Sequence, residues 1–385
     1  MSTALAQRAA HIISFVSPDT PADFVLRREV GGDRELESHE KRALVGAVFA
    51  YYRWFQWLDT AQALPLRVAS ALDFQFRFDA DPAAIKPEAL AAFALPAWAL
   101  SSIDFPAPEA RTAYLRQLQR PPSLWIRPQR EFVVSLARAL RHTAPPQSEI
   151  SNLKFHFAPT ALRYTGPSDL FKSDEFKKGL FEIQDFASQL VGHACAPLPT
   201  ETWWDACCGE GGKTLLLSDL MGNKGVIWAT DRHTGRLATL RKRAGRAKAF
   251  NYRAVTWNGG PFLPTKTKFD GILVDAPCSG VGTWQRNPHA RWSLTETDVK
   301  ELAEIQLQLL ENTHKALKPG GRLIYAVCTV TRQETTDIVR AFSAAHPELE
   351  PLPFSSLGSP ESSLFLWPQE LDANGMFVAA WRRRT

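Results

Sequence analysis

Two cysteines stand where a thiol could do chemistry. Cys278 lies in Val274-Asp275-Ala276-Pro277-Cys278-Ser279-Gly280, and Cys328 in Leu323-Ile324-Tyr325-Ala326-Val327-Cys328-Thr329. Each follows a predicted buried strand. A thiol at the exposed end of a strand can reach a substrate, whereas one in mid-strand is usually a small core hydrophobe. A third segment, Asp205-Ala206-Cys207-Cys208-Gly209-Glu210-Gly211-Gly212-Lys213-Thr214, is rich in glycine. Glycines let the backbone pass close to a ligand at the carboxyl end of a sheet. The helix predicted from Lys213 offers free N–H groups to a carboxylate or phosphate. The next predicted strand leads to Asp231, where a carboxylate can take both hydroxyls of a ribose. This pairing suits NAD or S-adenosylmethionine. The loop is too short for a P-loop and lacks the glycine spacing of the dinucleotide fingerprint. Two thiols beside such a loop point to covalent chemistry on a ring carbon.

The elements that must position these residues follow from pattern. From Thr202 onward strands alternate with helices: Trp203-Trp204, a helix over 213–221, a strand over 225–230, a basic helix over 232–247, and strands over 252–257 and 271–274. A long helix over 295–317 is expected to stop at the turn Lys318-Pro319-Gly320-Gly321. A strand over 322–327, a helix over 333–345 and strands over 364–367 and 376–381 complete the series. Such alternation implies a parallel sheet covered on both faces. Before it, residues 40–59 carry apolar side chains at helical spacing, and the alanine-rich stretch 61–108 reads as short helices punctuated by proline. A short strand over 123–127, a helix over 131–141 and a loop over 142–147 fill the region between. The domain reading is a helical region over 1–110, a small α+β subdomain with its lead-in over 111–198, and the α/β domain over 199–385.

Composition narrows the class. The chain has 385 residues, 45% hydrophobic and 22% charged, as in ordinary globular proteins. No apolar run approaches the roughly 18 residues of a membrane span, and residues 11–16 lack the features of a signal peptide, so a cytoplasmic protein is expected. Five cysteines argue against a disulfide framework, and no zinc-ligand spacing is present, so no metal site is expected. The net charge of +5 is compatible with nucleic acid. Arg232, Arg236, Arg241, Lys242, Arg243, Arg246 and Lys248 crowd one predicted helix, which reads equally as a solvated face.

Together these segments resemble the S-adenosylmethionine-dependent RNA cytosine-C5 methyltransferases, in particular the bacterial ribosomal RNA branch, the RsmB/Sun (NSUN-like) group. The glycine loop is similar to that family's cofactor motif, residues 275–282 to its fourth motif and 325–329 to its sixth. Phe176-Lys177-Lys178-Gly179, with Gln184-Asp185 and Ser188, matches the lead-in segment, and Arg286-Asn287-Pro288 with Trp292 the stretch after the fourth motif. Residues 123–127 look like the first strand of the RNA-binding subdomain, and 38–53 resemble a NusB-like helical region. There are departures: Cys208, Gly209 and Glu210 stand where the family usually has alanine, alanine and proline, His289 where it has aspartate, and Thr329 where serine is common.

The resemblance implies a Rossmann-like class I methyltransferase domain, with a mostly parallel seven-stranded sheet and helices on both faces. S-adenosylmethionine is the implied cofactor, held by Cys207, Gly209, Gly211, Lys213, Asp231, Arg236, Asn258 and Asp275. The implied partner is RNA, as rRNA or the small ribosomal subunit, with a monomeric enzyme and no membrane. Cys328 is the implied nucleophile at cytosine C6, and Cys278 assists release; DNA cytosine methyltransferases place the nucleophile at the proline-cysteine position, which would exchange the roles. Asp275 is expected to hold the cytosine edge and Lys213 to help the thiol, while Arg127, Arg286 and the basic helix could hold phosphates. The thiols of Cys207 and Cys208 read as packing groups, and Trp203 and Trp204 as core. Alternatives are methylation of tRNA or another RNA, a non-catalytic RNA-binding assembly factor, and a dehydrogenase.

Overall fold

The computed structural model describes residues 3–33, 35–140, 142–143, 160–166 and 169–385. The chain divides into two compact units, one of Met1–Pro122 with Thr283–Glu296, the other of Ser123–Gly282 with Thr297–Thr385. The first unit is helical. Its helix Ser38–Arg53 starts at a capping box, in which Glu37 and Glu40 satisfy each other's backbone N–H groups. Leu44, Ala47, Val48 and Tyr51 line its buried stripe, which packs with residues of helices Thr3–Ile13 and Leu64–Ala80 in one apolar cluster. Trp54, fully buried, closes that helix, and its indole N–H donates to Gln75.

Two sheets build the second unit. The small one comprises β1 (Leu124–Pro128), β2 (His142–Thr143), β3 (Leu162–Tyr164) and β4 (Phe181–Ile183), antiparallel in the order β2-β3-β1-β4. His142 and Thr143, expected in a loop, pair with Tyr164 and Arg163 instead. Residues 144–147 of that expected loop lie outside the described residues.

The large sheet contains β5 (Thr202–Asp205), β6 (Val226–Asp231), β7 (Tyr252–Thr256), β8 (Phe269–Asp275), β9 (Leu317–Val327), β10 (Leu349–Pro351), β11 (Ser363–Leu366) and β12 (Met376–Arg383). Its order is β10-β12-β9-β8-β5-β6-β7, with β11 also paired to β12. Strands β5 to β9 run parallel and β12 antiparallel to β9. The seven-stranded expectation holds for the path. The eighth strand arises because β10 pairs with the end of β12, residues 381–383, while β11 pairs with 376–379. Two short strands thus share one edge, leaving less open backbone there.

Adjacent tryptophans show why the sheet is buried on both faces. Trp203 and Trp204 are 0% exposed and enter different apolar clusters, as period-two alternation requires. A Cβ on Gly271 of the neighbouring strand would come within 2.3 Å of the Trp203 ring, so glycine is required there. Residues 318–321, expected as a turn, are instead an irregularity inside β9: Phe269 pairs with Leu317, and Gly271 already with Arg322. The positive φ of Gly320 accommodates the extra length.

Candidate functional site

Strand order reverses at β5, because successive crossovers lead to β6 and β7 on one side and to β8 and β9 on the other. Ligands of open α/β sheets bind outside the carboxyl ends of the strands at such a point. A cavity of about 440 Å³ opens there, lined by residues 206–210, 231–232, 236, 257–259, 275–278, 305, 309 and 328.

The glycine loop leaves β5 and turns into helix Gly212–Leu220 through two left-handed residues, Gly209 at φ +54° and Gly211 at φ +84°. A Cβ at Gly211 would meet Leu240 Cδ1 at 2.1 Å, so side chain and φ both demand glycine. A Cβ at Gly209 would meet nothing within 4 Å, and this residue lines the cavity. Asp231, at the end of β6, accepts from the Gly209 N–H at 3.1 Å and the His233 N–H at 2.7 Å. Arg236 reaches Asp231 only at 3.9 Å and is more than half exposed. Asn258 lines the cavity while its side-chain oxygen accepts from the Gly260 N–H at 3.0 Å, so it is also a turn residue. Cys207 lines the cavity and packs against the core. Burial and then Asp205 push its thiol upward, which fits packing better than attack.

Beneath the loop, Asp205 is fully buried. It accepts from Thr214 Oγ1 at 2.6 Å through one oxygen, while the other has no protein partner. Burial pushes its carboxyl up to about 7. Lys213 donates to Asp275 at 2.7 Å. Burial opposes its charge, but the Asp275 carboxylate, with smaller help from Cys328 and Asp205, holds the ammonium above its ordinary range. A charged lysine therefore stands within electrostatic reach of the Cys328 sulfur.

The two cysteine loops meet: Cys278 Sγ and Cys328 Sγ are 3.3 Å apart. The hydrogen bond to Cys328 raises the Cys278 thiol well above its usual range, with burial and Glu334 adding to the effect. The neutral thiol of Cys278 is thus favoured. The Gly282 N–H donates to the Cys328 carbonyl at 3.1 Å, tying the end of one loop to the other.

Of the predicted cofactor and catalytic residues, Cys207, Gly209, Asp231, Arg236, Asn258, Asp275, Cys278 and Cys328 line this cavity, whereas Gly211 and Lys213 do not, Lys213 being bonded to the lining Asp275. Pattern reading missed Trp257, Ile305 and Leu309, which give the cavity an apolar lining, and the buried Glu334 behind the cysteine loops. Trp257 sits one residue beyond β7, a position that β-strand ends at a sheet's carboxyl edge could have flagged.

Other expectations are corrected. Arg127 cannot hold a phosphate: it is buried, donates to Gln184 at 2.8 Å and pairs with Asp219 at 3.3 Å. Arg243 and Arg246 of the basic helix Thr234–Ala247 both pair with Glu182, whereas Arg232, Arg236, Arg241, Lys242 and Lys248 stay exposed. Arg286, also expected to hold phosphate, is exposed. Residues 283–296 belong to the helical unit, where Arg291 is fully buried and donates to the carbonyls of Trp284, Ala94 and Leu118. Trp292 donates to the Tyr52 carbonyl at 2.7 Å. Elsewhere in the second unit, Glu311, His314 and His346 bring ligand-type atoms within 4.8 Å of one another. His346 is already bonded to Glu311 and Glu348, which raise it against the effect of burial.

A sheet of this order, with a glycine loop after β5 and an acid at the end of β6, is the fold of the Rossmann-like class I methyltransferases. Residues 193–382 match the family described as 16S rRNA methyltransferase RsmB/F, to which this domain is similar. A probable ribosomal RNA small subunit methyltransferase B of Bacillus subtilis is 34% identical over 54% of this chain and 49% of its own length. The chain thus spans about half the length of the curated relatives it matches. Among solved structures, a methyltransferase homolog from Pyrococcus horikoshii is 25% identical, with a TM-score of 0.62 over 74% of this chain and 94% of that one. NSun6 from the same organism, solved with SFG, shares the fold at a TM-score of 0.60 and 19% identity, over 72% of this chain and 95% of that one. Among the described residues, no helix is long and apolar enough to cross a membrane.

Proposed function

We propose that the protein is a cytoplasmic S-adenosylmethionine-dependent RNA cytosine-C5 methyltransferase acting on 16S rRNA. The observation that carries this reading is the pair of sulfurs 3.3 Å apart beside the cavity that Gly209 and Asp231 border. The family described as 16S rRNA methyltransferase supports the substrate.

The residues present fit the cofactor. Gly209 brings backbone to the cavity wall, the Asp231 carboxylate suits a ribose diol, and Trp257, Ile305 and Leu309 offer apolar contact to a purine. When bound there, S-adenosylmethionine supplies an electrophilic methyl group. The rest is protein chemistry on the base. Cytosine C5 is a poor nucleophile, so Cys328 adds as thiolate to C6, and the resulting enamine makes C5 nucleophilic. The Lys213 ammonium provides the positive charge that favours a thiolate. Asp275, oriented by Lys213, accepts from the exocyclic amine and fixes the ring. After methylation a base removes the C5 proton, the C6–sulfur bond breaks and Cys328 leaves. Cys278, kept as a neutral thiol, assists that release. A base inside a helix must first leave its stack.

The test uses 16S rRNA fragments carrying 5-fluorocytidine, whose fluorine blocks loss of the C5 substituent. The protein with S-adenosylmethionine is expected to form a denaturant-resistant adduct through Cys328. RNA binding without an adduct would refute the covalent reading.

A further inference from the structure

We propose that Glu334 is a positioning residue that clamps the two cysteine loops to each other and so sets the approach of Cys278 to Cys328; this rests on the catalytic reading above. Glu334 is 0% exposed. One carboxylate oxygen accepts from the Ser279 N–H at 2.8 Å and from Gln306 Nε2 at 3.0 Å. The other accepts from Ser279 Oγ, from Thr329 Oγ1 at 2.9 Å and from Thr331 Oγ1 at 2.8 Å.

These donors are placed to matter. Ser279 directly follows Cys278, and Thr329 directly follows Cys328. Gln306 Nε2 also donates to the carbonyl of Pro277, which precedes Cys278, at 3.0 Å. The backbone on either side of Cys278 is therefore held by one buried carboxylate and its glutamine. Tyr325, on the strand leading to Cys328, donates to Gln306 Oε1 at 2.8 Å and to the Glu334 carbonyl at 2.7 Å.

A buried acid with five donors and no cationic partner among those bonds is organised by neutral groups. Its removal would leave several of them unsatisfied. Three of those five donors belong to the two residues that flank the thiols. The carboxylate also acts through space, adding to the rise of the Cys278 thiol. Glu334 touches no reacting atom; it acts through the loops.

Two measurements on the full chain test this. The first needs no RNA: the rate of Cys278–Cys328 disulfide formation with diamide, read by peptide mass spectrometry. The two thiols lose two electrons and two protons to the diazene as the sulfur–sulfur bond forms. Glu334→Gln is expected to slow this coupling roughly tenfold or more, even though loss of the negative charge eases ionisation of Cys278, because small displacements of reacting atoms carry large rate penalties. A rate within twofold of wild type would overturn the proposal. The second follows methyl transfer: Glu334→Gln is expected to lower kcat with KM for S-adenosylmethionine unchanged, and to accumulate covalent complex with unmodified RNA. Equal loss of kcat and cofactor binding would mark a merely structural role and overturn it. If Glu334→Gln fails to fold, Ser279→Ala combined with Thr329→Val removes the two loop hydroxyls that reach Glu334 while keeping the carboxylate and its bond from the Ser279 N–H, and the same outcomes apply. Wild-type protein without an adduct on 5-fluorocytidine RNA would sink the catalytic reading, while the diamide rate would still judge the clamp.

Discussion

At the scale of residues, the roles proposed for the two thiols differ because their surroundings differ. The surroundings of Cys278 favour its neutral thiol, and the Lys213 ammonium lies within electrostatic reach of Cys328. Cys328→Ala is expected to abolish both methylation and the 5-fluorocytidine adduct. Cys278→Ala is expected to form the covalent complex and stall, so that it accumulates with ordinary RNA; denaturing gels of RNA-bound protein separate the two outcomes. If Cys278→Ala lost the adduct and Cys328→Ala kept it, the roles would be reversed. The cysteines were legible in the sequence because each follows an apolar run and sits in a dense motif. Their partners were not. The Lys213–Asp275 pair spans 62 positions and the Glu334–Ser279 contact 55, and no local spacing encodes contacts made by sheet topology. Arg127 misled for the opposite reason: a strand-end arginine reads as exposed until its buried partners Gln184 and Asp219 are known.

At the scale of elements, the turn from β5 into helix Gly212–Leu220 is the most constrained part of the site. Gly211→Ala meets both a positive φ and the Leu240 side chain, and is expected to cost about 1–3 kcal/mol of stability and to weaken cofactor binding. Calorimetric titration with S-adenosylmethionine and thermal melts check this; unchanged affinity and Tm would contradict it. Asp205, at the end of β5, gives a pH signature. Its folded carboxyl is raised from 3.8 to about 7, so its contribution to stability is fully present below about 3.8 and is lost as pH rises through about 7. Asp205→Asn keeps an acceptor for Thr214 and removes the titration. It is expected to be more stable than wild type at pH 8, by up to about 4 kcal/mol, and to flatten the pH dependence of unfolding. Denaturant midpoints from pH 4 to 8 decide; parallel curves for both proteins would refute the assignment. The alternating strands and helices were readable because each apolar run is bounded by glycine or charge. The irregularity at 318–321 was not, because Pro319 and Gly320-Gly321 signal a turn equally well inside a strand.

At the scale of the whole molecule, chain order and compact units do not coincide. Residues 283–296 follow the Cys278 loop in sequence but complete the helical unit, where the buried Arg291 joins three carbonyl groups and burial pushes its guanidinium down to about 9. Arg291→Ala would strand those acceptors and is expected to destabilise that unit by about 3–5 kcal/mol. Differential calorimetry measures it, and a loss below about 1 kcal/mol would contradict the buried geometry. Periodicity showed the helix around residues 40–59, whereas the long helix Leu64–Ala80 lay in a stretch read as short helices, and this insertion was not legible, since it depends on contacts with residues nearly 200 positions earlier. The measurement that tests the central claim most directly is 5-methylcytidine mapping of 16S rRNA from cells with and without this gene. The account predicts loss of one modified cytidine, restored by the wild-type chain and not by Cys328→Ala. An unchanged 16S map, or restoration by Cys328→Ala, would contradict it.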